Sequence, residues 1–262
     1  MKHTTIRNAT VSDKISILKF CQNTFSWGDY VEHVWDFWLS EGYLFLAEKL
    51  NQVGICHAFY SLDQIWIEGI RIHPEYRRQK IASDLVTHAE TIGKEKHVLF
   101  SYMLIDTKNT ASFSMANSLG YNIFQTWNFY SLDPKINLNH NVSFEYGFDH
   151  QPHPHYVQSW RWLPLDDVAM SLLTAQNCIV KSTLSDDNSF AIITDSDHFN
   201  KTLIVTLFSY SDDSVLQILS FLQNYAMKNN YERIQILTKE ELPLFDSLDY
   251  KISFHLMKKS LT

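Results

Sequence analysis

The stretch IWIEGIRIHPEYRRQKIA, residues 65–82, decides how this chain folds. Its first half alternates like a β-strand, and His73-Pro74 marks a turn. The basic loop 77–80, RRQK, then leads into an amphipathic helical pattern that begins at Ile81. A helix N-terminus presents unpaired N–H groups and a positive dipole end, so cations placed there favour a bound anion. The stretch therefore predicts a strand, a phosphate-binding loop and a helix, with a merely solvated turn as the alternative.

The same stretch resembles motif A of the GNAT superfamily of acyl-CoA-dependent N-acyltransferases, whose loop reads [Arg/Gln]-x-x-Gly-x-[Gly/Ala]. The lysine of the loop stands at the family's central glycine, where it either crowds the pyrophosphate or turns outward and adds a charge; we favour the second. The resemblance implies acetyl-CoA as co-substrate. The cofactor-binding residues that it implies here are Ile70, Arg71, Ile72, Arg77, Arg78, Gln79, Lys80, Ile81, Ala82 and Ser83.

The resemblance continues downstream of the loop. Residues 97–105, HVLFSYMLI, are typical of a buried strand, and the helical segment that follows ends before Gly120, a natural helix-terminating residue. The resemblance implies that Asn109 contacts the pantetheine arm, with Ser112 beside it. Ala116 stands where the family often has a tyrosine that acts as general acid. An acid must therefore come from elsewhere, or the thiolate leaves unassisted.

Glu68 is the best candidate for the general base. It lies in mid-strand on the same face as Trp66 and Ile70, and a carboxylate in such apolar surroundings is costly unless it is satisfied or functional. A positioned base takes the proton of an attacking amine. The alternative is a structural ion pair, with Arg71 for example. The resemblance also implies that a backbone N–H of strand 70–72 meets the oxyanion.

The aromatic segment 25–39, FSWGDYVEHVWDFWL, predicts both core and acceptor site. Trp35, Trp38 and Leu39 recur at helical spacing and are expected in the core. In the GNAT family this region lines the acceptor pocket, and an aspartate beside aromatic rings suits an ammonium group. The candidate substrate residues are Trp27, Asp29 and Tyr30. The segment also resembles the branch that contains histidine N-acetyltransferase-like proteins, which suggests a free amino acid as acceptor without establishing histidine.

Composition narrows the classes of protein. The chain has 262 residues, 45% of them hydrophobic, which supports a substantial core. Its net charge of −7 disfavours general nucleic-acid binding. Three widely spaced cysteines argue against a disulfide framework and for a reducing, cytoplasmic location. We expect neither a secretory signal nor a membrane span, because the first residues, MKHTTIRNATVSDK, and the rest of the chain carry no long apolar run.

The element order over roughly residues 1–133 is β-α-α-β-β-β-α-β-α-β, which is the GNAT order. The fold class is therefore α+β, with a central mixed sheet flanked by helices. Part of this order recurs in the second half, as a strand at 202–210, a helix at 214–228 and a strand at 233–238. A short helix at 242–250 and a strand at 251–258 complete the repeat.

We predict a GNAT acetyltransferase domain at 1–135, a linker at 136–155 and a degenerate GNAT-like domain at 156–262. Asp212 and Asp213 replace the basic loop in the second domain, and carboxylates there repel phosphate. That domain is expected to act as a structural or dimerising partner, compatible with a homodimer, or as a lid.

The predicted linker is rich in histidine. His140, His150, His153 and His155 could hold a transition metal together with Asp149. A solvated, proline-rich loop explains them better, because no ligand pair recurs at helical spacing and no cysteine is near. No metal site is predicted.

The sequence thus predicts an acetyl-CoA-dependent N-acetyltransferase that acts on the amine of a small molecule. Two alternatives remain open. One is a protein N-acetyltransferase that acts on an N-terminus or a lysine. The other is a non-catalytic acyl-CoA-binding or scaffold module, suggested by Lys80 and Ala116. An acidic chain with an aromatic acceptor region favours the small molecule.

Overall fold

The structure is a computed structural model that describes residues 4–22, 24, 28–144, 155–184 and 189–262. The α-helices in these ranges are α1 (Lys14–Cys21), α2 (Val31–Glu41), α3 (Ile81–Glu95), α4 (Thr110–Ser118), α5 (Asp167–Ala175) and α6 (Asp212–Lys228). The strands are β1 (Thr5–Asn8), β2 (Leu44–Glu48), β3 (Gln52–Ser61), β4 (Gln64–Ile72), β5 (Phe100–Asp106), β6 (Asn122–Leu132), β7 (Val142–Phe144), β8 (His155–Gln158), β9 (Arg161–Pro164), β10 (Ile179–Ser182), β11 (Phe190–Asp195), β12 (Thr202–Phe208), β13 (Arg233–Thr238) and β14 (Leu248–Ser260).

The chain forms two compact units. Unit 1 comprises Met1–Phe124 and His255–Thr262, and unit 2 comprises Gln125–Phe254. In unit 1 the strands β1 to β5 lie side by side in chain order, and the end of β14 follows β5. All neighbouring pairs from β1 to β4 are antiparallel, whereas β4 and β5 are parallel, joined by the crossover helix α3.

The sheet of unit 1 buries both of its faces, because alternate residues of each strand point to opposite sides. Phe45 and Ala47 of β2 join the cluster that packs against α3. Leu44 and Leu46 join the cluster that packs against α1 and α2, which contains Trp38. Apolar residues on both faces explain why this unit carries helices on both sides of its sheet.

Unit 2 repeats part of the same organisation. The strands β12 and β13 are parallel and are connected through α6, as β4 and β5 are through α3. The strand β6 pairs with β13, while β11, β10 and β7 continue beyond β12, all antiparallel. One face of α6, with Val215, Ile218 and Leu222, is fully buried against these strands. A second βαβ crossover under a mixed sheet is consistent with a diverged GNAT-like half.

The predicted α+β mixed sheet with flanking helices and the element order of the first half are confirmed. Trp35 and Trp38 are fully buried as predicted, and Leu39 is half-buried. The short helix predicted at 242–250 is wrong, because that segment runs irregularly past Pro243 and becomes strand at Leu248. Strand formation from Leu248 onward takes up the end of the predicted helix, and tertiary context overrides so short a helical pattern.

The compact units differ from the predicted domain bounds in two ways. The division falls at Gln125, within β6, and the last residues, His255–Thr262, belong to the first unit. The predicted linker 136–155 contains a strand, β7, that pairs with β10, while most of its remainder from residue 145 lies outside the described residues. Pairing of a terminal strand with the first sheet depends on contacts distant in sequence, so local patterns do not reveal it.

Two further expectations concern disulfide bonds and membrane-spanning helices. Cys21 and Cys56 are buried and Cys178 is half-buried, and all three are free thiols. Among the described residues there is no helix whose length and apolar content would suffice to cross a membrane.

Candidate functional site

A break in the sheet of unit 1 marks the candidate site. The parallel pairing of β4 with β5 runs from Gln64–Phe100 to Ile67–Met103 and ends there, although both strands continue. Beyond this point β4 still pairs with β3 on its other side. Residues 68–72 therefore expose one edge of backbone groups, which is the edge where the predicted oxyanion donors of Ile70, Arg71 and Ile72 lie.

A β-bulge in β4 adds to this irregularity. Ile55 of β3 pairs with Arg71, and His57 pairs with Glu68. One residue of β3 therefore lies opposite two residues of β4 between these pairs. The bulge includes Gly69, which has φ +65°, and a Cβ there would lie 2.3 Å from the Trp38 ring. Only glycine fits both the left-handed backbone and the close ring. The bulge ends the regular alternation of β4 immediately after Glu68.

Glu68 is held by hydrogen bonds at this position. His57 Nδ1 lies 2.9 Å from Glu68 Oε1, and Trp66 Nε1 donates to Oε2 at 3.2 Å. The other ring nitrogen of His57, Nε2, lies 3.5 Å from a carboxylate oxygen of Glu41, at the end of α2. Trp38 stacks on the His57 ring, with centroids 5.1 Å apart. Of the cations that could pair with Glu68, Arg71 is engaged by Asp29, whereas His57 lies within hydrogen-bond distance of Glu68.

His57 and Glu41 were missed by the sequence reasoning. Glu41 belongs to a separate helix, and although His57 is only 11 residues from Glu68, on the neighbouring strand, their contact depends on the register that the bulge sets. The available signals were a histidine inside an apolar strand and an isolated glycine after Glu68, which is a known mark of a bulge.

The predicted phosphate loop lies between β4 and α3. A 3-10 turn at Pro74–Tyr76 precedes it, and Arg78 and Lys80 have left-handed backbones, each with φ +61°. The backbone N–H groups of residues 78–83 bond no acceptor in the described part of the chain. A row of free donors at a helix N-terminus is suited to a phosphate.

The side chains of the loop surround these donors with charge. Arg77, Arg78, Gln79 and Lys80 are exposed, while Ile81 is buried and anchors the helix start in the core. Ala82 and Ser83 are half-buried in the first turn. Lys49, from the β2–β3 turn, donates to Gln79 Oε1 at 2.6 Å and brings a further cation that sequence reasoning missed.

Lys80 occupies the family's glycine position in the backbone conformation that a glycine would prefer. Its φ and ψ are +61° and +8°, and its side chain is exposed. A left-handed conformation costs a non-glycine residue about 1–2 kcal/mol. The loop therefore keeps the shape expected with glycine, and the lysine side chain is turned to solvent.

The three predicted substrate residues have different outcomes. Trp27 lies outside the described residues. Asp29 forms a two-pronged ion pair with Arg71, at 2.7 and 3.1 Å, in which both side chains are largely buried. Tyr30 lies under the Arg71 guanidinium, 5.1 Å from its ring centroid, and edge-on to Trp38. Asp29 is thus engaged by an internal cation, so its carboxylate positions Arg71 and α2 in this state.

The downstream residues lie at the start of α4. Asn109 caps this helix, since its Oδ1 accepts from the Ser112 N–H at 3.0 Å. Its side-chain amide remains at the surface. Ala116 is fully buried. The neighbouring tyrosine, Tyr121, is buried too, and its hydroxyl donates to Glu90 at 2.8 Å, so it is not the missing acid. Burial raises the pKa of Tyr121 well above its ordinary value.

In unit 2 the connection that corresponds to this loop has a different character. Residues 209–211 connect β12 to α6, where Ser211 caps the helix and Asp212 and Asp213 fill the first turn. The Ser189 hydroxyl accepts from the backbone N–H of Tyr210 at 2.9 Å and of Ser211 at 3.3 Å. Donors that are already bonded and flanked by carboxylates are unsuited to a phosphate.

Metal ligands do not cluster in the part of the chain that the structure describes. No group of three or more His, Cys, Asp or Glu side chains there could hold a metal ion. His150 and His153, and the intervening proline-rich segment, lie outside the described residues. His155 is buried and His140 is half-buried beside Asn224.

Comparison with known proteins relates part of this chain to a protein family and its fold to solved structures. The family model described as "Acetyltransferase (GNAT) family" matches residues 13–121. No curated protein matches the chain in sequence. A candidate acetyltransferase from Thermoplasma acidophilum has a similar structure, with 15% identity, TM-score 0.67, and coverage of 98% of this chain and 99% of that chain.

Two further solved structures match over nearly the whole length. A GCN5-related N-acetyltransferase from Sphaerobacter thermophilus has 11% identity and a TM-score of 0.62, over 98% of this chain and 96% of that one. A tandem GNAT protein from the clavulanic acid biosynthesis pathway has 9% identity and a TM-score of 0.59, over 99% of both chains. At such identities the likeness shows a shared fold.

Residues 13–121 therefore match the GNAT acetyltransferase family, and the fold of the chain is shared along nearly its full length with solved GNAT proteins, one of them a tandem protein.

Proposed function

We propose that this protein transfers the acetyl group of acetyl-CoA to the amine of a small molecule, and that a free amino acid is the first acceptor class to test. One observation carries the proposal. Glu68 is held by His57 Nδ1 and the Trp66 N–H at the point where β4 and β5 separate, and the same strand leads directly into the loop of free backbone donors at α3. The proposed base therefore lies in β4, and the proposed phosphate loop follows directly after the same strand.

The phosphate loop supports acetyl-CoA binding at unit 1. Free N–H groups of residues 78–83 would bond the pyrophosphate, with Arg78 and Lys80 supplying charge from exposed side chains. The exposed edge of β4 at residues 70–72 would hold the pantetheine arm, as the resemblance implies. Asn109 and Ser112 are proposed to contact that arm from the start of α4. The loop of unit 2 has none of these features, so one acetyl-CoA per chain is expected.

The proposed reaction is direct attack of the amine on the thioester carbonyl. Glu68 accepts the proton that the amine nitrogen loses as the C–N bond forms. A backbone N–H of Ile70 to Ile72 stabilises the oxyanion, and the C–S bond then breaks to release CoA thiolate. A thiol is acidic enough for this departure to need no tyrosine at Ala116.

Charge around Glu68 supports a cationic amine as acceptor. Glu41 and Glu68 both lie beside His57, and their side chains keep 18% and 12% of their exposure. Two partly exposed carboxylates attract a protonated amine, and the net charge of −7 adds to this. The neutral form is the one that attacks, and it is already appreciable at neutral pH for an α-amine of pKa about 7.7–8.0. Because Asp29 is paired with Arg71, we propose that Tyr30 and Trp27 are the residues of this region that contact the acceptor. A cytoplasmic location is proposed with the function and is supported by three free thiols.

A second candidate, a non-catalytic acyl-CoA-binding module, is favoured by the fully buried Ala116 at the family's tyrosine position. Turnover separates the two. The assay measures CoA thiol release from acetyl-CoA with free amino acids, polyamines and short peptides as acceptors, using wild type and Glu68→Gln. Glu32→Gln, on the exposed face of α2, is the matched control.

We expect release with small amines, a loss of about 10²–10⁴-fold in kcat for Glu68→Gln, and no change for the control. Acetyl-CoA affinity should be unchanged in both variants. Release no faster than hydrolysis with every amine would overturn the proposal in favour of the binding module. A strong preference for peptides would instead favour a protein N-acetyltransferase.

A further inference from the structure

His57 lies at the centre of a carboxylate–imidazole–carboxylate cluster formed by Glu41, His57 and Glu68. The imidazole is completely enclosed, with 0% of its side chain exposed. Its Nδ1 lies 2.9 Å from Glu68 Oε1, and its Nε2 lies 3.5 Å from Glu41 Oε2. The stacked Trp38 ring, tilted by only 7°, holds the imidazole plane between the two carboxylates.

Hydrogen-bond counting shows what this cluster requires. An ionised carboxylate has only acceptors, so a ring nitrogen must carry a proton to bond it. With a single proton, on Nδ1, the ring bonds Glu68 and leaves the Nε2 lone pair facing the lone pairs of Glu41. That nitrogen is fully buried and has no hydrogen-bond partner in the described part of the chain. A proton on Nε2 would turn the 3.5 Å approach to Glu41 into an ion pair.

We propose that His57 is a positioning residue for Glu68, donating from Nδ1 to Glu68 and forming an ion pair through its protonated Nε2 with Glu41. As a cation between two carboxylates, it keeps Glu68 ionised and fixes the orientation of its carboxylate. Glu41 acts through His57 by holding the second proton. The inference rests on the proposed function, in which Glu68 is the base that takes the proton of the amine.

Other titratable groups near the cluster do not replace this role. Burial raises the pKa of Tyr30, which faces Trp38 from the start of α2, and of Cys56, the neighbour of His57 in β3, so both are neutral at neutral pH. Arg71 of β4 carries a positive charge, but its guanidinium bonds both oxygens of Asp29. His57 differs from these groups in bonding Glu68 directly.

The first test reads the imidazole itself and needs no turnover. Nitrogen-15 NMR of the histidine rings is recorded on the full chain near pH 7.5, and the His57 signals are those lost in His57→Asn. We expect both ring nitrogens of His57 to be protonated in the wild type, and Nε2 to lose its proton in Glu41→Gln. A wild-type ring with one protonated nitrogen that Glu41→Gln leaves unchanged would overturn the inference.

The second test is the pH profile of kcat/KM for the best amine acceptor. Loss of a cation within hydrogen-bond distance disfavours the ionised carboxylate, so the acid limb should move to higher pH by about one unit or more in Glu41→Gln and His57→Asn. His57→Asn keeps a donor toward Glu68 without the charge, which separates charge from mere support. Glu32→Gln should leave the profile unmoved, and the KM for acetyl-CoA should stay unchanged throughout.

The two tests fail in different ways. An acid limb that stays in place in both variants, with turnover otherwise intact, overturns the role of His57 and leaves the proposed function standing. Absence of turnover in the wild type overturns the proposed function, while the ring spectra still decide whether His57 bonds both carboxylates.

Discussion

Replacing Gly69 by alanine tests the bulge that positions Glu68. The left-handed backbone, at φ +65°, costs an alanine about 1–2 kcal/mol. Its Cβ would also lie 2.3 Å from Trp38 Cη2 and 2.6 Å from Cζ3, and relieving such an overlap in a packed core costs about 1–3 kcal/mol. Lower entropy of the unfolded chain returns about 0.4–1 kcal/mol. The expected loss of stability is therefore roughly 2–4 kcal/mol, from the sum of these contributions.

Gly120 provides a matched control in the same unit. It has φ +88°, but a Cβ there would meet nothing nearer than Lys259 Cε at 3.9 Å. Gly120→Ala should thus incur only the backbone cost of about 1 kcal/mol. Urea unfolding followed by circular dichroism gives both values. The overlap would also move Trp38, which stacks on the His57 ring beside Glu68. Because the proposed base would then be misplaced, Gly69→Ala should lower kcat by about 100-fold. Equal stability of the two variants would refute the reasoning.

Two further substitutions test the loop and the first turn of the domain. Lys80→Gly should raise stability by about 1 kcal/mol, because it relieves the left-handed backbone; a lower urea midpoint would contradict this. Hydrogen bonds from the Arg7 guanidinium, together with Thr10, hold the pKa of the buried Asp13 well below its usual 3.8. The pair therefore stabilises the fold above about pH 4 and loses its effect as the pH falls further. At pH 7, Asp13→Asn should lower the free energy of unfolding by about 2–3 kcal/mol. Between pH 5 and 3.5 its urea midpoint should fall less than that of the wild type. Equal midpoints of the two proteins at pH 7 would refute the assignment.

Much of unit 1 was predictable because its signals are local. Short apolar runs mark β2 to β5. The basic loop before Ile81 stands out because cations are unfavourable at a helix N-terminus unless an anion is bound there. Glu68 stood out as a carboxylate in an apolar strand. The structure keeps each of these features in the predicted place.

The surroundings of Glu68 were not predictable in the same way. The His57 contact needs the strand register, which one extra residue at Gly69 shifts. The Arg71–Asp29 pair joins residues distant in sequence, and either could have been paired otherwise. The return of β14 to unit 1 is likewise a long-range event: Lys259, near its end, pairs with the buried Glu90 of α3. Local propensity carries no information about such contacts.

Calorimetric titration with acetyl-CoA tests the central claim most directly. Arg78 is exposed and makes no side-chain hydrogen bond or ion pair within the described residues, so Arg78→Glu changes the loop charge without breaking such a contact. We expect one site per chain in the wild type and at least about 10-fold weaker binding in Arg78→Glu, the size of a lost charge-assisted bond. Arg233→Glu, an exposed reversal in unit 2, should bind like wild type. Two sites per chain, no binding, or equal affinity of Arg78→Glu and wild type would contradict a single phosphate loop in unit 1.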